Sequence, residues 1–514
     1  MTEKIFTAQH VCSPCSPCAK GDFYDSLHVA LTFRSGCAII RKTHAYLVKK
    51  GAFTVKIILA GCGKVGSTLT EQLSSEGYDL TVIDNDPAVL DSIIETYDVI
   101  TVSGNCACMD TLSEADAQGA DVLIATTGSD EVNLLCCATA HKLNPQLRTI
   151  ARIRNPEYTE QIHRMRDVFS LSLVFNPEKQ AAVEIERLLK YPGFLKRDTF
   201  GKGRMEIVEL KVDAQSKLCG AALCALDGIV KCHVLICAVL RDGQAIIPDG
   251  TFVLQDGDRI FVTAPTEDLT TLLKSLGLAQ HKVRSVMIVG GGKISYYLAE
   301  QLEEQGIDVK IIERDEARCR ELSAALPRTT VILGDAGQQT LLEDEGLSNC
   351  DALVSLTGID ELNILTSLYA DAQSVPSIIT KLARVNDTRV IGALPIGSII
   401  SPRKLCCTTV VRYVRALYQQ AGAAIAIHTI ADGLAEAIEF RADAHTRHCG
   451  EPLKQLTLKP NIRLAGIIHA GKTEIAGGDS VYLEGDTVVV VSAREDVILD
   501  LNDIFTDGVR MERR

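Results

Sequence analysis

Residues 55–66 read Val-Lys-Ile-Ile-Leu-Ala-Gly61-Cys62-Gly63-Lys64-Val65-Gly66. A short apolar run enters three glycines at G-x-G-x-x-G spacing, and a helix-forming stretch follows. In such a loop the first glycine makes a tight turn, the second lets backbone approach a pyrophosphate, and the third lets helix and strand pack closely. The start of the next helix offers unpaired N–H groups and a positive dipole end to phosphate oxygens. Eighteen residues beyond Gly66, a second apolar segment, Thr-Val-Ile-Asp84, ends in an acid. An acid at this place accepts hydrogen bonds from the adenosine ribose hydroxyls and repels a 2′-phosphate, which favours NAD(H). A glycine-rich turn without a ligand is the plainer alternative, and the strand–loop–helix–strand–acid order argues against it.

The pattern occurs twice. Residues 284–295 read Arg-Ser-Val-Met-Ile-Val-Gly290-Gly291-Gly292-Lys293-Ile294-Ser295, and Lys-Ile-Ile-Glu313 supplies the second acid. Gly290 follows Gly61 by 229 residues, and Glu313 follows Asp84 by the same interval. Further on, Thr127-Gly128-Ser-Asp130-Glu131-Val-Asn133 matches Thr357-Gly358-Ile-Asp360-Glu361-Leu-Asn363, and Gly220-x-x-Leu223-x-x-Leu226 matches Gly450-x-x-Leu453-x-x-Leu456. A register held over this distance marks a tandem duplication.

Each unit starts with short apolar strands alternating with amphipathic helices, near 55–60, 80–84, 98–102, 121–126 and 148–153 in the first. That order predicts a doubly wound parallel α/β sheet. A helix follows at 177–190, where Ala181, Ile185, Leu188 and Leu189 form one apolar stripe behind Pro177. Its counterpart opens at Pro402, with Leu405, Val410, Val414 and Leu417. Period-two alternation and turn pairs such as Asp242-Gly243 and Asp256-Gly257 then predict a small β-rich or α+β domain in each unit. The expected division is an extension at 1–54, a Rossmann-like domain at 55–176, a linker helix at 177–203 and a small domain at 204–280. The second unit repeats it at 284–401, 402–423 and 424–508.

Length and charge agree with four folded domains. At roughly 100–200 residues per domain, 514 residues accommodate them. The formal charge of −13 argues against a general nucleic-acid binder. The apolar runs fall short of the roughly 18 residues a spanning helix needs, so a membrane role has to come through a partner. Residues 1–54 depart from the rest in carrying seven Lys/Arg against three Asp/Glu. They contain Cys12-Ser-Pro-Cys15-Ser-Pro-Cys18. Two overlapping C-x-x-C spacings there admit a metal reading with His10 or His28 as fourth ligand. The preferred reading is an upstream extension, the folded protein starting near Val55. The remaining cysteines are scattered through core-like segments, as in Cys136-Cys137 and Cys406-Cys407, which suits buried thiols in a reducing cytoplasm.

The candidate nucleotide-binding residues of the first unit are Gly61, Cys62, Gly63, Lys64, Val65, Gly66, Asp84, Thr127, Gly128 and Arg152. Thr127 and Gly128 fall at the carboxyl end of the fourth strand, where such sheets bind ligands, and Arg152 at the fifth strand is placed to pair with phosphate. The second set is Gly290, Gly291, Gly292, Lys293, Ile294 and Glu313, with Thr357, Gly358 and Lys381 in the places of Thr127, Gly128 and Arg152. Ser295 replaces the third glycine, so the second helix is expected to stand slightly farther from its strand. Lys64 and Lys293 are read either as phosphate contacts or as solvated surface lysines. Asp130-Glu131 and Asp360-Glu361 are read as helix-start acids complementing the dipole. Catalytic groups are not expected: His163, His281, His428 and His469 are dispersed, and neither a G-x-S-x-G elbow nor a metal-spaced cluster accompanies the loops. Ligand binding without turnover fits better than an NAD-dependent oxidoreductase.

The order of nucleotide-binding lobe, crossover helix and small lobe, repeated, resembles the TrkA family of regulators, built of tandem RCK domains (regulators of potassium conductance). The resemblance covers about 55–508 and rests on the first glycine loop, Ala120-Asp-Val-Leu-Ile-Ala-Thr-Thr127, Asp130-Glu131-x-Asn133, Ala151-Arg-Ile-Arg154 and the repeated Gly-x-x-Leu-x-x-Leu. It implies NAD(H) and adenine-nucleotide (ATP or ADP) binding in the Rossmann lobes. It also implies a ring-like homo-oligomer beneath a potassium-translocating membrane subunit of the Trk type, on the inner face of the cell membrane. Regulation of another cation channel or antiporter is the related alternative; duplication in one chain without a fused pore favours the Trk reading.

Overall fold

The computed structural model describes residues 55–278, 282–383, 391, 394–417, 424–493, 498 and 500–506. The expected extension, with Cys12, Cys15 and Cys18, lies outside the described residues, as do His281 and the end of the second linker. In the first unit the parallel strands are β1 (Lys56–Ala60), β2 (Asp79–Asp84), β3 (Ile100–Ser103), β4 (Val122–Ala125), β5 (Arg148–Arg152) and β6 (Leu173–Phe175). Helices α1 (Lys64–Ser75), α2 (Pro87–Thr96), α3 (Met109–Glu114), α4 (Asp130–Leu143) and α5 (Pro156–Met165) connect them. The strand order is β3-β2-β1-β4-β5-β6. Its switch point lies between β1 and β4, and the crevice outside the strands' carboxyl ends there is where this topology takes ligands. The central strands are buried along nearly their whole length, because helices cover both faces.

The crossover helix α6 (Pro177–Lys190) leads into an antiparallel sheet of β7 (Lys196–Phe200), β8 (Met205–Lys211), β9 (Leu235–Arg241), β10 (Gln244–Ile246) and β11 (Arg259–Pro265), closed by α7 (Leu269–Leu276). Strand order is β10-β9-β11-β8-β7. The second unit repeats the plan. Its parallel sheet has β12 (Ser285–Val289), β13 (Asp308–Glu313), β14 (Thr330–Leu333), β15 (Ala352–Ser355), β16 (Ser377–Lys381) and β17 (Ser398–Ile400). Helices α8 (Lys293–Glu304), α9 (Glu316–Ala325), α10 (Gln339–Asp344) and α11 (Asp360–Ala372) pack on it. Then come the crossover helix α12 (Pro402–Leu417) and strands β18 (Ala424–Ile430), β19 (Ala435–Arg441), β20 (Ile462–His469), β21 (Lys472–Ile475) and β22 (Thr487–Ala493).

Two features depart from the sequence reading. Each parallel sheet gains a sixth strand, three residues long, too short for a periodic signal. The segment expected as the first linker, 177–203, also holds β7, whose Lys-Arg-Asp-Thr-Phe sequence lacks an apolar alternation to read and which pairs antiparallel with β8.

The crossover helices are exchanged between units. The α6 stripe of Ala181, Ile185, Leu188 and Leu189 is buried with Ile288, Leu298 and Val354 of the second Rossmann lobe. Cys406, Cys407, Val410 and Val414 of α12 are buried with Leu59, Val65 and Leu69 of the first. Each fully buried aliphatic side chain contributes about 1.5–3 kcal/mol, so each lobe depends on a helix from the other unit. The two antiparallel sheets pack face to face. Phe200, Met205, Ile207 and Phe261 of one join Ile430, Ala437, Ala465 and Val489 of the other in a single core. Both exchanges give the chain a pseudo-twofold arrangement of its halves.

The fourteen cysteines among the described residues are free thiols, nine of them buried. Most of them therefore act as small core residues.

Candidate nucleotide sites

The loop Gly61–Gly66 leaves β1 at the switch point and enters α1. Gly61 has φ +94°, and a Cβ there would lie 2.7 Å from the Thr127 nitrogen. A Cβ on Gly66 would lie 2.1 Å from the Gly61 carbonyl oxygen. Both positions are closed to any side chain. Gly63 differs: nothing lies within 4 Å of its absent Cβ. It caps α1 without a side-chain hydrogen bond, which leaves the first-turn N–H groups to a ligand. Lys64 and Lys293 are exposed in the first turns of their helices.

Asp84 ends β2 and holds the loop. Its Oδ2 accepts from the Cys62 nitrogen at 2.6 Å and its Oδ1 from the Asp86 nitrogen at 3.0 Å. Each oxygen keeps a lone pair for a further donor. Burial pushes the Cys62 thiol up, so it is a packing group beside Thr70 rather than a nucleophile.

Thr127 and Gly128 lie beside the loop at the end of β4. Asn133 joins β4 to β5: its Oδ1 accepts from the Thr127 nitrogen at 2.8 Å and from the Thr127 hydroxyl at 2.7 Å, while its Nδ2 donates to the Arg152 carbonyl at 2.9 Å. Arg152 is buried, and its guanidinium donates to the Thr127 carbonyl. Its Nε has no hydrogen-bond partner among the described residues. Burial, with Arg154 nearby, lowers its affinity for the proton. Arg152 thus supports the site's edge from below. Arg154, beyond it, donates from Nη2 to the Gly128 carbonyl at 2.8 Å.

The acids that open α4 do more than complement a dipole. Asp130 is buried, and its Oδ2 accepts from the Arg154 and Asn155 nitrogens, each at 2.8 Å. Glu131 accepts from the Ser129 hydroxyl at 2.5 Å and from the Tyr158 hydroxyl at 2.8 Å. The Ser129 bond, its own backbone N–H and the Tyr158 bond, with Lys293 of the second unit nearby, hold its carboxyl down at about 2.

The second loop keeps this plan with exchanged parts. Gly290 has φ +96°, and Gly292 has open space where Gly63 has it. Glu313 Oε2 accepts from the Gly291 nitrogen at 2.5 Å and Oε1 from the Asp315 nitrogen at 2.9 Å. A Cβ at Gly291 would meet Leu322 at 2.7 Å, so this loop has glycine where the first has Cys62. Arg318 donates from Nε to the Gly291 carbonyl at 2.7 Å; Val89 stands 229 residues earlier. Asn363 bridges Thr357 and the Lys381 carbonyl as Asn133 does in the first unit. Lys381 donates to the Leu356 carbonyl at 3.2 Å. Ser295 is fully buried and donates to the Gly290 carbonyl. A Cβ on Gly290 would lie 3.0 Å from Thr357, against 2.7 Å at the matching place in the first loop, so the second is slightly looser.

The structure brings all nineteen sequence-named residues to two equivalent sheet edges. Asn133, Asn363, Arg154 and Arg318 were not singled out as site residues. The repeated Asp-Glu-x-Asn pattern carried a signal for the asparagines, since both units keep the same polar residue one turn into the helix. Arg318 has no matching residue in the first unit and gave no repeat signal.

A duplicated unit of Rossmann lobe, crossover helix and antiparallel lobe, with a glycine loop at each switch point, defines a tandem RCK-type protein. The comparisons agree. The TrkA-N domain matches residues 57–174 and 286–402, and the TrkA-C domain residues 207–277. The Trk system potassium uptake protein TrkA of Vibrio alginolyticus is 31% identical over 457 residues, covering 88% of this chain and 98% of the relative. The TrkA of Haemophilus influenzae gives the same values, and a TrkA homolog of Archaeoglobus fulgidus is 30% identical over 451 residues, covering 88% of this chain and all of the relative. This chain belongs to the TrkA family. Among solved structures, the GsuK RCK domain aligns with TM-score 0.56 at 18% identity, covering 87% of this chain and 94% of that one. The GsuK channel bound to NAD aligns with TM-score 0.56 at 17% identity, covering 87% and 78%. These likenesses concern the fold.

Proposed function

We propose that this protein is a nucleotide-responsive regulatory subunit of a potassium-uptake system, binding NAD(H) in its Rossmann lobes and acting on a separate membrane subunit. The observation that carries the ligand reading is the contrast within each loop. Neighbouring glycines are closed, Gly61, Gly66 and Gly290 by backbone and Gly291 by side chains, while Gly63 and Gly292 open onto free space at helix starts whose N–H groups lack side-chain caps. In the first site Gly61–Gly66 would cradle a pyrophosphate, Asp84 would receive the adenosine ribose hydroxyls, and Thr127 and Gly128 would line the far side. In the second, Gly290–Ile294 and Glu313 would do the same. Lys64 and Lys293, exposed in the first helical turns, would reach phosphate oxygens, which also admits ATP or ADP.

The transport reading rests on membership of the TrkA family over nearly the full length of its relatives. No helix among the described residues is long and apolar enough to cross a membrane, so ion translocation falls to a partner chain. A potassium-translocating subunit of the Trk type, with this chain in a ring on the cytoplasmic face, fits that division of labour. Regulation then requires that nucleotide bind two shapes of the ring with different affinity.

Two experiments test this. Co-purification from native membranes is expected to recover a cation-transport subunit; its absence would count against the transport reading. Titration with NADH and ATP is expected to show binding that weakens at least tenfold in Asp84→Ala; unchanged affinity would remove the first-site assignment.

A further inference from the structure

Tyr297 belongs to the second unit, but its hydroxyl sits in the first. It lies one turn inside α8, the helix that opens in the second glycine loop, and is buried in the core shared with α6. Its hydroxyl donates to the Arg154 carbonyl at 3.2 Å and accepts from Asn176 Nδ2 at 3.1 Å. Thr159 Oγ1 lies 3.4 Å away. Those three residues lie two positions past β5, at the cap of α6 and in the first turn of α5. Arg154 in turn holds the first site: its nitrogen donates to Asp130, and its guanidinium to the Gly128 carbonyl.

Among the described residues the link has no counterpart in the reverse direction. The residue matching Tyr297 is Thr68, whose hydroxyl bonds back within its own helix to the Lys64 carbonyl at 3.2 Å. The residue matching Arg154 is Ala383, whose nitrogen keeps the bond to Asp360 but which has no guanidinium to reach Gly358. Among the described residues the duplication has therefore left one such path of hydrogen bonds, from the second loop through α8 to the β4–β5 edge of the first.

We infer that Tyr297 is a positioning residue that couples the two nucleotide sites, so that a ligand seating on Gly290–Ser295 shifts α8 and resets Arg154 and Gly128 in the first site. The inference rests on the nucleotide binding proposed above for the second loop. By linkage the effect is reciprocal: whatever factor a ligand in the second site exerts on the first, a ligand in the first exerts on the second. Lys293, on the same helix, adds a small favourable charge effect to those that hold down the Glu131 carboxyl of the first unit.

The test uses the full chain carrying Gly63→Ala, which adds a methyl group in open space at the first loop and leaves the second intact. Hydrogen–deuterium exchange is followed over residues 127–131 and 152–156, with NADH and then ATP as probes. Nucleotide is expected to slow exchange there several-fold in Gly63→Ala. Adding Tyr297→Phe, which keeps the ring and removes the hydroxyl, is expected to abolish that slowing while leaving nucleotide affinity within about twofold. Thr159→Val removes the longest of the three contacts, along with Thr159's own bonds to Asn155 and Asn176, and leaves the Tyr297 bonds to Arg154 and Asn176 in place, so it should keep the effect. Equal slowing with and without the Tyr297 hydroxyl overturns the inference alone, as does loss of the effect in Thr159→Val, which would mark general loosening. If Gly63→Ala binds neither nucleotide, the second-site reading falls, and the coupling with it.

Discussion

The hydroxyl of Ser295 donates to the carbonyl of Gly290, the bond that Thr126 makes to Gly61 in the first loop at 2.6 Å. Thr126 corresponds to Leu356 in the second unit. The carbonyl that ends the first glycine's turn keeps a hydroxyl donor in both loops, but the donor has moved from strand end to helix. The third glycine could therefore become serine without orphaning a buried acceptor. Ser295→Gly is expected to destabilise the second lobe by about 1–3 kcal/mol, since it leaves that carbonyl unpaired. Adding Leu356→Thr should restore much of the loss. Denaturant melts of both variants check the pair.

Gly63 and Gly66 separate binding from folding. Gly66→Ala drives a Cβ into the Gly61 carbonyl and is expected to lower the thermal midpoint by several degrees or abolish soluble expression. Gly63→Ala meets nothing and has an ordinary φ of −66°. It should leave the midpoint within about a degree while weakening nucleotide binding at the first loop tenfold or more, because the methyl group stands where a phosphate would approach. Calorimetry of both proteins with NADH distinguishes the two effects.

The exchanged helices predict how half of the chain behaves. Residues 55–278 alone carry α6 with its apolar stripe and lack α12, whose Cys406, Val410 and Val414 fill the first lobe's groove. The vacant groove and the unpartnered helix are complementary by descent. The fragment is expected to form a twofold dimer, each α6 filling its partner's groove. Sedimentation velocity checks this; a stable monomer would mean that the stripe finds another cover.

Asp198 and His428 are equivalent residues, 230 positions apart, and meet across the two antiparallel sheets at 3.0 Å. Two identical halves would set like against like here; the duplicated chain sets acid against base. His428→Asp is expected to destabilise the fold by roughly 1–3 kcal/mol by facing two largely buried carboxylates that share only Lys196 among the described residues. The exchange Asp198→His with His428→Asp should recover part of it. The same site governs acid stability. Burial opposes the charge on Asp198, but Lys196 and His428 outweigh it and hold the carboxyl well below its usual range. A depressed folded value means that the stabilisation is complete above the unfolded Asp value, about 4, and is lost as pH falls below it. Asp198→Asn should therefore flatten the acid limb of the stability curve below about pH 5. Melting at several pH values in wild type and variant checks this.

The sequence by itself determined the duplication, both glycine loops, the acids after them and the alternation that builds each parallel sheet. These are signals of local geometry: a strand repeats every two residues, a helix every 3.6, and a tight loop needs its glycines within six positions. It gave the stripe on α6 as well, from Ala181 to Leu189, but not what covers it. Burial of apolar surface has no direction and names no partner, so the stripe fits its own lobe and its neighbour's equally well on pattern alone. Only the tertiary structure decided that α6 and α12 are exchanged, that the two small sheets share one core, and that Asp198 faces His428. Contacts such as Tyr297 with Arg154 span 143 residues and involve side chains with no local role, so they became visible only when the halves were packed together.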